Sequence, residues 1–259
     1  MFYGFQNLQS IDFTNFNGNN VTECYRMFEN CINLTTVNGI NFPNCNNFRA
    51  AFSTCTSLTY FPIKPENFKD DTTYRYIYGK CYNIAENISN INISNCELYQ
   101  AFTNTNISSI NNISLNNCIL NKTFYNCPNL KYIDNIKFSN CDLLSVFDNC
   151  CNLLNITNIN ISNINNMFAT FLYCNSLTDI AYLDTSNVTN LARTFCRCNN
   201  LSNSAIQNII NMCLNSNVTN NTLMNLGTAN VYSPLYQTKF DSSYYSNRLT
   251  ELTQAGWSY

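Results

Sequence analysis

The residues able to do chemistry are few in kind. The 259-residue chain has fifteen Cys, thirteen Lys and Arg, fifteen Asp and Glu, and no His. Without imidazole there is no Cys-His or Ser-His nucleophile pair, no histidine general base and no zinc site that needs a nitrogen ligand. Carboxylate pairs, Ser-Lys sites and all-Cys metal sites survive that cut, but no C-x-x-C, Gly-rich phosphate loop or G-x-S-x-G occurs to support one. The densest charge, Lys64 to Arg75, holds six of the 28 charged residues. Its Asp71, Tyr74 and Tyr78 fall at positions expected on a solvated short helix after a Pro corner, so it makes a weak active site. No catalytic residue, metal or cofactor is expected.

A repeat governs where these residues fall. Aromatic-x-x-Cys-x-x-Leu recurs at Phe28/Cys31/Leu34, Phe52/Cys55/Leu58, Tyr78/Cys81/Ile84, Phe124/Cys127/Leu130, Phe147/Cys150/Leu153, Phe171/Cys174/Leu177 and, with one inserted Cys, Phe195/Cys198/Leu201. Degenerate copies start at Phe2 and Phe102, and successive anchors lie 22 to 26 residues apart. After each Leu comes a short alternating stretch that reads as a strand, then a polar corner. Val188, Leu191 and Phe195 then stand at i, i+3 and i+7, predicting a short helix in each unit. One such unit cannot bury its own apolar side, whereas a stack can. The expected fold is therefore an α/β solenoid, with a short strand and a short helix in each turn, of about nine repeats over residues 1–201. A helical capping region is expected over 202–259, with helices near Ser204–Leu214 and Asp241–Ala255 and a strand-like piece at Thr222–Gly227.

The repeat gives the cysteines and asparagines their roles. Eleven Cys fall in two columns, where Val, Ile or Thr stands in other units, so they read as small buried side chains held mostly as free thiols. Asn makes up 52 of the 259 residues. It suits the corners because it tolerates left-handed backbone, bonds nearby peptide groups and can pair amide to amide with its equivalent in the next turn. The thirteen N-x-[ST] sequons carry no further meaning in so Asn-rich a chain.

Candidate binding residues lie between the buried strand positions: Thr36, Asn38, Tyr60, Tyr132, Asp134, Asn155, Thr157 and Asp179. Polar groups with interspersed Tyr suit a protein or glycan ligand held by hydrogen bonds and ring contacts. A net charge of −2 gives no long-range attraction for nucleic acid. No apolar run approaches 18 residues, so membrane insertion is not expected. The start, MFYGFQNLQS, has no charged and apolar secretion signal. The expectation is release by other means or an upstream leader, with the uncovered first turn docking onto a larger assembly or further repeats.

The unit from Leu177 through Asp184-Thr-Ser-Asn-Val188-Thr-Asn-Leu191 to Phe195 and Cys198 resembles the repeat of BspA-like leucine-rich-repeat surface proteins. The ending Leu252 to Trp257 is similar to the closing cap of such proteins in gut bacteria and their phages. The resemblance implies a solenoid displayed on a cell surface, outside the cell or on a virion, used for adhesion or recognition and without an active site. An alternative is a structural spacer or decoration protein of a phage virion or surface layer. The lack of a signal peptide and wall anchor departs from that family and points to a phage-encoded or truncated protein.

Overall fold

The computed structural model describes residues 1–219, 231–238 and 243–258. Residues from the units' alternating stretches form parallel strands, at most one per coil, each paired only with strands of the adjacent coils. Strands β1 (Ser10–Asp12) and β2 (Thr36–Asn38) form one small sheet. The strands β3 (Ile88–Ser94), β4 (Ser109–Asn116), β5 (Tyr132–Ser139), β6 (Asn155–Ser162) and β7 (Asp179–Ile180) form the second, in chain order. This is a β-solenoid.

The strands show why Asn is so frequent. Asn90, Asn112, Asn135 and Asn158 have φ between 49° and 59°. One left-handed residue resets the inward–outward alternation of a strand, so Ile88 and Ile91 both point inward, as do Ile110 and Ile113 or Ile133 and Ile136. Asn is the side chain besides Gly that takes this conformation at least cost. Its amide also joins coil to coil. Asn112 donates to Asn90 and Asn135 to Asn112, at 3.3 and 2.7 Å. A second ladder runs Asn117 to Asn95 (2.8 Å) and Asn163 to Asn140 (3.0 Å).

The sheet is interrupted between β2 and β3, where the coil containing Pro65 has a short 3-10 turn (Pro65–Asn67) and no strand. There the Tyr60 hydroxyl accepts from the Val37 N–H at 2.7 Å and donates to its carbonyl at 3.0 Å. A side chain thus supplies the donor and acceptor that a neighbouring strand would have given β2.

The expected helix of each repeat is not formed. Val188, Leu191 and Phe195 are buried as their spacing requires, but the segment is a ribbon of turns. Phe171 N–H bonds the Thr194 carbonyl of the next coil (2.9 Å), and Ala169 N–H bonds Ala192 (2.9 Å). The intervening donors close local i−3 turns, such as Thr194 to Leu191 at 3.2 Å. Residues two before and two after each anchor from Phe28 to Phe195 are left-handed, from Arg26 and Asn30 to Arg193 and Arg197. An eight-residue segment is too short to nucleate a helix on its own. The adjacent coil meanwhile offers each alternate N–H a partner, so stacking wins. Among the described residues, the two α-helices both follow the repeats.

Stacking aligns the nine anchors into one column. Ring centroids from Phe2 through Phe28, Phe52, Tyr78, Phe102, Phe124, Phe147 and Phe171 to Phe195 lie 5.3 to 6.0 Å apart, with planes within 27°. Beside them runs a thiol column. Cys55 Sγ donates to the Phe28 carbonyl of the preceding coil (3.0 Å), Cys81 to Phe52 (3.0 Å), Cys150 to Phe124 (3.2 Å) and Cys198 to Phe171 (3.1 Å). In the coil with Thr105, a hydroxyl stands in the same column and donates instead to the Phe102 carbonyl of its own coil at 2.8 Å. The column therefore selects a small side chain carrying a donor. All fifteen cysteines are free thiols, and all but Cys151 are buried. Burial pushes the Cys81 thiol up to about 12 and raises Cys55 and Cys198 further. Since burial keeps a reagent from every thiol but that of Cys151, a thiol reagent at pH 8 is expected to label about one cysteine in the native chain, Cys151, and fifteen in urea. Rapid native labelling of several would contradict this packing.

Helix α1 (Asn203–Asn215) starts at Ser202, whose Oγ accepts the Ala205 N–H at 3.1 Å, and buries Ile206, Ile209, Ile210, Met212 and Cys213. Helix α2 spans Ser246–Gln254, shorter than the Asp241–Ala255 stretch expected, with Leu249 and Leu252 inward. Gly256 follows it at φ 90°, and Trp257 is buried. Backbone carbonyls of Ser233, Pro234 and Tyr236 accept the outward N–H groups of Arg193, Phe195 and Arg197 at 2.9 to 3.2 Å. These take the place that a further coil would occupy. The expected strand-like piece at Thr222–Gly227 lies outside the described residues. No helix among the described residues is long and apolar enough to cross a membrane.

Candidate functional site

The strands bring the sequence-derived candidates together only in part. Tyr132, Asn155 and Asp179 align as one row across β5, β6 and β7, with Asp134 and Thr157 in the next row. The Asp134 carboxylate accepts from Thr157 Oγ1 (2.6 Å) and Asn158 Nδ2 (2.8 Å), bonds that hold its pKa below the usual carboxylate value. Thr36 and Asn38 lie on the other sheet, opposite Ser10 and Asp12. Tyr60 stands between the sheets with its hydroxyl engaged on Val37. The eight residues thus form two separate surfaces and an edge seal, with no single concave site.

A concave site lies on the turn ribbons. A cleft of about 450 Å³ is lined by Tyr25, Arg26, Glu29, Arg49, Ala50, Ser53, Thr54, Tyr76, Gly79, Lys80, Gln100 and Thr103. It is built by repetition. The left-handed residues before and after each anchor are Arg26, Ala50, Tyr76 and Gln100, then Thr54 and Lys80, so successive coils place these side chains in rows. Gly79 keeps the floor low where neighbouring coils carry Ser53 and Thr103, since a Cβ there would already touch Thr103 Cγ2 at 3.5 Å.

Cations and rings alternate over this face. The Arg26 guanidinium pairs with Glu29 and lies 4.5 Å from the Tyr3 ring centre. Arg49 stands 5.5 Å from Tyr25, Arg75 5.1 Å from Tyr99, Lys122 5.3 Å from Tyr125 and Arg197 5.0 Å from Tyr173. These are distances at which a cation is attracted to a ring face. Five of the chain's six Arg sit at two or three residues before an anchor or two after it. That recurrence was available in the sequence as a signal. On a short helix these positions would form its outer side, whereas the ribbon turns them into one outward surface.

Asp148 follows the Phe147 anchor and is 8% exposed. Burial pushes its carboxyl up to about 6, opposed by nearby Lys122 and a hydrogen bond to Ser145. Between the unfolded value of 3.8 and 6 the folded chain binds the extra proton, so stability falls as pH rises through that window. Asp148→Asn is expected to stabilise the chain at pH 7.5 by about 1 kcal/mol, after allowing for solvent screening, and to have little effect at pH 4. Urea titrations at the two pH values check it.

Parallel strands stacked coil on coil, with turn ribbons and a single ring column, define a β-solenoid repeat protein. Residues 1–116 and 139–248 match the family described as "Mycoplasma protein of unknown function, DUF285", and the chain belongs to that family. The intervening residues carry on the same coil, with Phe124 in the ring column. No curated protein and no solved structure matches.

Proposed function

We propose that this chain is a non-enzymatic recognition or adhesion module of the BspA-like leucine-rich-repeat kind. It is displayed on a cell surface, outside the cell or on a virion, and it holds a protein or glycan ligand. Residues 202–259 serve as the cap that closes the solenoid's end. The observation carrying this reading is the turn-face cleft. It is of a size that holds a small ligand, and it is lined by two Tyr and three cations together with amide and hydroxyl groups. Such groups give orientation and contact area without chemistry. The strand row Tyr132, Asn155 and Asp179 is a secondary contact.

The test is retention of the full chain on a printed glycan array and on intact host cells, beside a Tyr25→Ala/Tyr76→Ala variant of unchanged melting temperature. Selective retention that the variant loses is expected. Equal retention of the two, or none by either, would overturn the reading.

The spacer or decoration alternative has its own observation. Met1, Phe5 and Phe16 are exposed, and Met1 and Phe16 border a largely apolar hollow of about 590 Å³ at the first coil, as a docking end requires. A stoichiometric place in a purified particle, combined with no array binding, would favour it.

A further inference from the structure

Resting on that recognition reading, we propose that the turn-face cleft is a site for an anionic carbohydrate, a sugar bearing a carboxylate or sulfate. The cleft's charge runs against that of the chain. Arg26, Arg49 and Lys80 face it with Glu29 as the single acid in the lining, giving +3 and −1, or +2, in a protein of net −2. Glu29 is already committed to Arg26. Arg49 and Lys80 have no acidic partner within 4.0 Å among the described residues, so two cations remain for a ligand's anion.

The rings fix the rest of the ligand. Tyr25 is 46% exposed and flanked by the guanidinium groups of Arg26 and Arg49 at 5.8 and 5.5 Å. The exposed part of the ring gives the C–H groups of a pyranose a contact directly beside the two guanidinium groups, where an acidic substituent meets the cations. Gln100 adds amide groups for sugar hydroxyls. An acidic peptide would meet the same cations, but its flexible carboxylate arms carry no compact ring of C–H groups to pack against Tyr25. The aliphatic lining is limited to Ala50 and threonine methyls, so the sugar is favoured.

Isothermal titration of the full chain with a chondroitin sulfate tetrasaccharide and with trigalacturonate tests this, with maltotriose and a hexaglutamate peptide as controls. At low salt both anionic sugars are expected to bind at least tenfold more tightly than maltotriose or the peptide. Arg49→Gln/Lys80→Gln should raise Kd at least tenfold, and Tyr25→Leu should do so without changing charge. Binding of the peptide as tight as that of the sugars, or insensitivity to either variant, would overturn the proposal. If maltotriose or another array glycan binds through the cleft and the anionic sugars do not, the carbohydrate charge assignment fails while recognition stands. If the Tyr25→Ala/Tyr76→Ala variant also retains every ligand of the wild type, both fail.

Discussion

Phe147→Ala is expected to cost about 3–5 kcal/mol, the range for deleting a fully buried ring from a packed core. The ring lies between Phe124 and Phe171 at 5.5 and 5.6 Å with planes 4° apart, and Phe138 packs on it at an angle. Nothing in a stacked column can collapse into the gap without shifting a whole coil, because each coil is hydrogen-bonded to its neighbours at several points. The repeat architecture adds a second consequence. Stability in a solenoid is a sum of coil and interface terms, so loss of a central interface can split unfolding into two steps. Urea unfolding should show a lower midpoint with a shallower or biphasic transition. Phe2→Ala should cost clearly less, since Phe2 has a stacked ring on one side only. Equal losses at Phe147 and Phe2 would argue against a continuous column.

Gly39→Val is expected to destabilise by about 2–4 kcal/mol, through backbone strain and collision together. Gly39 has φ 67°, and a Cβ there would lie 2.4 Å from the Thr14 nitrogen, 2.6 Å from Thr14 Cα and 2.8 Å from the Phe13 carbonyl carbon. These are backbone atoms of the preceding coil, so no side-chain rotation relieves the contact. Gly4 provides the control. It has φ 72° with nothing within 4 Å of the added carbon. Gly4→Ala should therefore cost only the left-handed penalty, about 1 kcal/mol. A thermal melt of the two variants separates close approach from conformational cost.

How much was legible in the sequence follows from what a spacing encodes. The Phe-x-x-Cys-x-x-Leu period located the ring column, the thiol column and the strands, because each depends only on burial at a repeated position. Asn at the corners was legible because the left-handed conformation and the amide ladder are properties of that residue. The helix expected at Val188–Phe195 does not form: burial at i, i+3 and i+7 is shared by a helix and by this turn ribbon. Which N–H bonds which carbonyl separates the two, and that depends on a neighbouring coil. The site suffered from the same ambiguity. Tyr60 reads as an outward strand residue, yet its coil has no strand, and its hydroxyl closes the edge of β2. Arg49, Lys80 and Tyr76 gain meaning only once the ribbon places them beside one another.

The turn-face cleft exists only if the anchor segments hydrogen-bond between coils. Trans-hydrogen-bond scalar couplings in deuterated, nitrogen-15- and carbon-13-labelled protein report this directly. Couplings are expected from Phe124 N to the Val146 carbonyl carbon and from Phe147 N to that of Thr170, across contacts of 3.0 and 2.9 Å. Couplings from those nitrogens to the carbonyls four residues earlier, Leu120 and Leu143, would mean a helix in every repeat and would contradict the account.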